Sequence, residues 1–207
     1  KPSPKAPLAA QRLAELAEEA GFPADLFGIV HGGAEVAAMI ASGDIDLLSF
    51  TGGDAAGLAL KNASGLVRCL MELGGNDPLI VMPDADLDRA AEVAITHRFE
   101  IAGQSCAAVK RLYLHDAIRE TMIERIAARI AEVTTGDPAD DATIMGTVID
   151  EPAAAEVERR VKLAVSDGAR IVAGGGRNGT QAELVRSETF GPVLAVRCFN
   201  DPDAVIA

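Results

Sequence analysis

The stretch Leu47-Leu48-Ser49-Phe50-Thr51-Gly52-Gly53-Asp54-Ala55-Ala56-Gly57-Leu58-Ala59-Leu60-Lys61-Asn62 passes from a short apolar run, through a glycine pair, into a helical pattern. Residues 47–50 predict a buried strand, 54–62 a helix, and Gly52-Gly53 the turn between them. Such a junction presents free backbone N–H groups and the positive end of a helix dipole, which suits a phosphate. Glycines also let the backbone approach a ligand closely. Taken alone, the pair is better explained as a plain turn, and no Gly-x-Gly-x-x-Gly fingerprint accompanies it.

Working outward, Leu8, Ala9, Leu13, Leu16, Ala17 and Ala20 recur at helical spacing and predict a helix over 7–20, ended by Gly21 and Pro23. A strand is predicted at 26–30, a helix at 34–42 after Gly32-Gly33, and a strand at 67–70. This alternation of strand and helix argues for an α/β layer with a parallel sheet. Beyond Glu72, strand 78–82 leads to Pro83-Asp84-Ala85-Asp86, a turn that caps helix 87–99. Strand 109–114 alternates in the manner of a half-buried strand. Helix 117–133 then carries Ile118, Met122, Ile126 and Ile130 on one face. Helix 152–166, strand 169–173, a loop at Gly174-Gly175-Gly176 and strand 193–199 complete the order. A domain change is expected near 73–78, dividing the chain into 1–73 and 74–207.

The chain has 207 residues, 49% hydrophobic and 24% charged, enough for a sizeable core. A net charge of -12 argues against a nucleic-acid partner, which calls for a basic surface. No apolar run approaches the roughly 18 residues of a membrane span. Three cysteines, Cys69, Cys106 and Cys198, suggest no disulfide framework and point to a reducing cytoplasm. No Cys/His cluster has metal-binding spacing, so no metal is expected. Lys1 stands where an initiator methionine would, so the chain reads as part of a longer protein.

Two short motifs carry chemistry. Glu72-Leu73-Gly74-Gly75-Asn76 places a carboxylate, a water-activating base, beside a glycine pair. Gly103-Gln104-Ser105-Cys106 sets a thiol, the most competent side-chain nucleophile near neutral pH, among small and amide residues. Alone, a cysteine is by default a packing residue and a glutamate a solvated charge. Cys69 and Cys198 keep that default. Glu188 at a strand end has a structural and a functional reading, and both stay open. His97 and Arg98 are expected at a helix C-terminus, where cations are favoured; Lys110 and Arg111 are expected to be surface or inter-domain charges.

Taken together, Lys1-Pro2-Ser3, Phe50-Thr51-Gly52, Glu72-Leu73-Gly74-Gly75, Gly103-Gln104-Ser105-Cys106 and Glu188-Thr189-Phe190-Gly191-Pro192-Val193 resemble the aldehyde dehydrogenase superfamily in order and spacing. The endings Asn76-Asp77-Pro78 and Cys106-Ala107-Ala108-Val109-Lys110-Arg111 are most similar to its branch acting on small anionic aldehydes, which includes phosphonoacetaldehyde and non-phosphorylating glyceraldehyde-3-phosphate dehydrogenases. The resemblance implies a parallel-sheet dinucleotide-binding half-domain followed by an α/β catalytic domain, in an incomplete chain. It further implies NAD or NADP as cofactor, a small aldehyde as substrate, and a homodimer or homotetramer. Carried over by position, Cys106 is the nucleophile and Glu72 the base for deacylation. Lys1, Ser3, Gly52, Gly53, Leu73, Gly74, Glu188 and Phe190 fall to the cofactor. The implied reaction is oxidation of an aldehyde to the acid through a thiohemiacetal and a thioester. Alternatives are a CoA-acylating or other non-hydrolytic relative, which tends to lack the glutamate, and a catalytically silent cofactor-binding homologue.

This chain departs from the family pattern in several places. Pro4 stands where NAD-preferring members often have a ribose-binding glutamate, and Lys5 nearby would favour a 2′-phosphate. Gly53 replaces a common serine. Ser105 stands where the anionic-aldehyde branch often has arginine, the preferred partner of phosphonate or phosphate. A further family stretch is expected between Gln181 and Ala182. The spatial requirement is that the Cys106 sulfur and the Glu72 carboxyl face one pocket.

Overall fold

A computed structural model describes residues 1–174 and 188–206. The chain divides into two units, Lys1–Gly74 and Gly75–Ala207. Among the described residues no helix is long and apolar enough to cross a membrane.

The first unit runs α1 (Pro7–Glu19), α2 (Ala34–Ala41), β1 (Leu47–Thr51), α3 (Asp54–Ser64) and β2 (Arg68–Glu72). Proline at the start of α1 suits a position whose N–H has no intrahelical partner. Strands β1 and β2 pair in parallel, Leu47 opposite Arg68 and Thr51 opposite Glu72. The right-sized connection for a parallel pair is a crossover helix, and α3 supplies it. Leu48, Leu60 and Ala41 are buried together, with Phe50, Cys69 and Met71 packed around them.

In the second unit, β3 (Asp77–Val81), α4 (Leu87–Phe99), β4 (Val109–His115), α5 (Arg119–Ala131), α6 (Glu151–Ser166), β5 (Ala195–Phe199) and α7 (Asp203–Ile206) follow one another. The sheet is parallel throughout, in the order β3-β4-β5. Central β4 buries Leu112 and Leu114 completely, against Ala91, Ala94 and Ile95 of α4 and Met122 and Ile126 of α5. The Asp86 carboxylate accepts from the Asp88 and Arg89 N–H groups at 3.1 and 3.0 Å, so α4 begins at the predicted cap. The predicted helix over 117–133 opens with a 3₁₀ turn at Asp116–Ile118, and Ile118, Met122 and Ile126 are buried as their spacing requires.

Two predicted strands do not form. Residues 26–30 are turn and irregular backbone, with Leu26 62% and Val30 49% exposed. Residues 169–173 are likewise irregular: Ala169 N–H closes the end of α6 on Ala164 O at 2.7 Å, and Gly168 has a φ of 97°. In both places the apolar run has no ladder partner among the described residues, and a strand exists only through pairing. The predicted loop at Gly174-Gly175-Gly176, beyond its first residue, and the expected break between Gln181 and Ala182 lie outside the described residues.

Candidate active site

In the first unit, the parallel pairing brings Gly52-Gly53 and Glu72-Leu73-Gly74 to the same, C-terminal end of β1 and β2, the end at which α/β sheets bind ligands. Gly52 N–H is already used, donating to Glu72 O at 3.0 Å. Gly53 caps α3 without any side-chain hydrogen bond, and a Cβ built on it meets nothing within 4 Å. Open glycine backbone at a helix N-terminus fits a pyrophosphate. Asp54 beside it turns back, its carboxylate accepting the Gly74 N–H at 3.2 Å. Leu73 packs against Gly57, where a Cβ would lie 2.6 Å from a Leu73 methyl. The Glu72 side chain is exposed and, among the described residues, unpaired; Lys61 donates to Gly65 O and Val67 O. Lys1 and Ser3 are exposed at the chain start, Lys1 Nζ donating to Pro2 O and Ser3 Oγ accepting the Lys5 N–H. No hydrogen bond joins them to the glycine turn.

In the second unit, Cys106 is exposed on the turn between the end of α4 and β4. The chain reaches it through three successive residues at positive φ: Ile101 at 51°, Ala102 at 53° and Gly103 at 71°. For a β-branched residue this is an outlier, and such strain persists only where surrounding contacts over-determine it. Those contacts come from Arg98. Its guanidinium, fully buried, donates to Gly103 O at 2.9 Å, Val109 O at 3.1 Å, Thr189 O at 3.2 Å and Gly191 O. A Cβ at Gly103 would run into both the guanidinium and the Gly191 carbonyl, so glycine is required there by backbone angle and by space. Burial pushes Arg98 down to about 10, partly countered by the charge of Glu188, so it stays cationic at neutral pH.

Lys110 lies beneath the same turn. It is 1% exposed and donates to Ser105 O at 2.7 Å and Cys106 O at 2.5 Å, with Asp77 and Glu188 carboxylates each 3.4 Å away. Gly75 closes over this cluster, since a Cβ there would lie 2.5 Å from Cys106 O and 2.7 Å from Asp77 Oδ2. Gln104 ties the loop outward, its side chain accepting the Ile149 N–H at 2.8 Å. Glu188 is thus held near the nucleophile turn by Lys110, while Phe190 is half exposed.

Lys110 corrects the expectation of a surface or inter-domain charge, since it is buried within the second unit; Arg98 stands in the last turn of α4 as expected, but buried rather than exposed. Arg111 is also half-buried, donating to Asn76 O at 2.7 Å and lying over the Tyr113 ring. The signal was in the periodicity. Lys110 shares the inward phase of β4 with Leu112 and Leu114, and Arg98 continues the buried stripe Ala91, Ala94 and Ile95 of α4.

The sequence profile of the aldehyde dehydrogenase family matches residues 1–207. The chain belongs to the aldehyde dehydrogenase family. A sulfoacetaldehyde dehydrogenase of Neptuniibacter caesariensis is 35% identical over 219 residues, covering 100% of this chain and 48% of that protein. The solved structure of an E. coli NADP dependent enzyme is 36% identical with a TM-score of 0.91, over 97% of this chain and 46% of that one. A betaine aldehyde dehydrogenase from Staphylococcus aureus, solved in complex with NAD+, is 29% identical with a TM-score of 0.92, over 99% of this chain and 45% of that one. This aldehyde dehydrogenase chain therefore spans about half the length of these relatives. Their agreement establishes the α/β aldehyde dehydrogenase fold and the family resemblance first carried by the motifs.

Proposed function

We propose that this chain carries the nucleophile and the general base of an NAD(P)-dependent aldehyde dehydrogenase acting on a small, anionic aldehyde. The observation that carries the proposal is the exposed Cys106 on a turn whose backbone is locked by two buried cations, in a chain of this family. The anionic substrate class is supported by the similarity to a sulfoacetaldehyde dehydrogenase. The division at Gly74 and Gly75 supports assigning the first unit to dinucleotide binding and the second to catalysis.

In this mechanism the Cys106 thiolate forms a carbon–sulfur bond with the aldehyde carbonyl, giving a thiohemiacetal oxyanion. The Cys106 N–H, which donates to nothing among the described residues, stabilises that charge. Gly53 and the α3 N-terminus would hold the pyrophosphate, with Lys1, Ser3, Leu73, Gly74, Glu188 and Phe190 contributing elsewhere along the dinucleotide. When bound, NAD or NADP supplies the hydride acceptor. Loss of hydride from the carbonyl carbon leaves a thioester on Cys106. Glu72 then takes a proton from water, which attacks the acyl carbon and releases the acid and the thiolate.

The test is an aldehyde panel containing sulfonate, phosphonate and carboxylate semialdehydes, assayed separately with NAD and NADP. Cys106→Ser abolishes aldehyde-dependent cofactor reduction; persisting activity sinks the nucleophile assignment. Glu72→Gln gives a burst of reduced cofactor and then almost no turnover. An unaltered steady rate refutes the base, and a rate restored only by CoA favours the acyl-transferring alternative. Cofactor binding without reduction across the panel favours the silent homologue.

A further inference from the structure

A buried ammonium is unfavourable unless each of its hydrogens finds an acceptor. Lys110 satisfies that condition with two main-chain carbonyls and one carboxylate. Its three hydrogens have three acceptors: Ser105 O at 2.7 Å, Cys106 O at 2.5 Å and Asp77 Oδ2 at 3.4 Å. Glu188, also at 3.4 Å, is left with the charge alone, and its Oε1 is buried without a hydrogen-bond donor among the described residues.

The Ser105 carbonyl and the Cys106 N–H belong to one peptide group. A cationic donor on the carbonyl end draws electron density through that group and makes its N–H a stronger donor, since linked hydrogen bonds polarise one another. The Cys106 carbonyl is fixed as well, so both peptide groups flanking the nucleophile are held from below. Ala108 N–H, at 3.2 Å from Ser105 O, and Ala107 N–H, at 3.3 Å from Ser105 Oγ, complete a tight turn that leaves the Cys106 N–H pointing at no protein acceptor among the described residues.

We propose that Lys110 is a positioning residue for the reaction: it clamps the two peptide groups around Cys106, strengthens the Cys106 N–H as oxyanion donor, and holds Glu188 beside the same turn. The proposal deepens the assignment of Cys106 as nucleophile and rests on it. Lys110 touches neither substrate nor cofactor; it acts through the backbone of Cys106.

The experiment compares wild type with Lys110→Met, which lacks both charge and donor, and Lys110→Gln, which keeps a donor. In the intact protein without substrate, hydrogen exchange read by mass spectrometry should quicken at least tenfold at residues 104–109 in Lys110→Met, with α4 and α5 unchanged. In rapid mixing with aldehyde, the first-turnover rate of cofactor reduction should fall at least tenfold, with an intermediate loss in Lys110→Gln. The cofactor dissociation constant should move less than threefold. A purely structural lysine would lower the melting temperature while leaving the first-turnover rate per folded site intact. An unchanged first-turnover rate in folded Lys110→Met, with or without looser exchange, overturns the proposal. Should Lys110→Met fail to fold, Lys110→Gln is read by the same criteria. A wild type that reduces no cofactor with any aldehyde overturns the proposed function instead, and the exchange comparison still judges the clamp.

Discussion

Replacing Arg98 by methionine keeps a shorter, unbranched apolar stem and removes the charge and donors. Of the five N–H hydrogens removed, three are hydrogen-bonded: one on Nη1 directed at Val109 O, and two on Nη2 shared among Gly103 O, Thr189 O and Gly191 O. Hydrogen bonds from a charged donor contribute about 1.5–3 kcal/mol each, so the gross loss is roughly 5–9 kcal/mol. Burial works the other way. It lowers the Arg98 value to about 10, a penalty of about 3 kcal/mol, and leaves the Nε–H without a partner among the described residues. The net expectation for Arg98→Met is a destabilisation of about 3–5 kcal/mol, the range typical of breaking a buried charge network. Urea denaturation followed by circular dichroism measures it, and at 2–4 °C per kcal/mol the thermal midpoint should fall by roughly 10 °C. A loss below about 1 kcal/mol would mean that the strained run from Ile101 to Gly103 holds itself and that Arg98 does not lock it.

The strain itself is open to test. Ile101 is 68% exposed at φ 51°, so Ile101→Asn should raise the thermal midpoint, by up to about 1 kcal/mol of stability, because asparagine tolerates this backbone and a β-branched residue does not. A fall would show that the isoleucine side chain makes a contact worth more than the strain. On α6, hydrogen bonds from Arg159 and Arg160 hold the Glu156 carboxyl down at about 2. A lowered carboxyl value stabilises the fold above the ordinary value of 4.5 and loses that contribution as pH falls toward 2. Glu156→Gln should therefore cost less than about 1 kcal/mol at neutral pH, the side chain being 45% exposed, and progressively less as pH falls toward and through 2. A difference independent of pH between 2 and 7 would rule out the ion pairs as its source.

The periodicity of β4, α4 and α5 was legible because these elements have one face in the core and one outside it, which prints an alternation of two or a stripe at 3.6 on the residues. Residues 26–30 and 169–173 are apolar enough for strands, but composition cannot supply the neighbouring strand that would take their hydrogen bonds. At the proposed site, the thiol and the glutamate stood out in the sequence because the proposed chemistry would demand those side chains. Arg98 and Lys110 did not stand out in that way, because the partners of Arg98, and the two shortest contacts of Lys110, are carbonyl oxygens. Every residue has a carbonyl, so an acceptor of that kind leaves no mark on the sequence; only the inward phase of each cation betrays it. The glycine turn at Gly52-Gly53 was placed correctly at the junction, while the engagement of its first N–H by Glu72 O depends on strand register.

The steric conflict awaiting any side chain at Gly103 bears on protein engineering. The tetrapeptide ending in Cys106 is not a portable cassette. Transplanted onto another scaffold without a cation at the position of Arg98 and the carbonyls of Thr189 and Gly191 to receive it, the same four letters would lose the left-handed approach that runs from Ile101 to Gly103 and aim the sulfur elsewhere. A designer who wants this thiol must import three separated pieces of chain, not one.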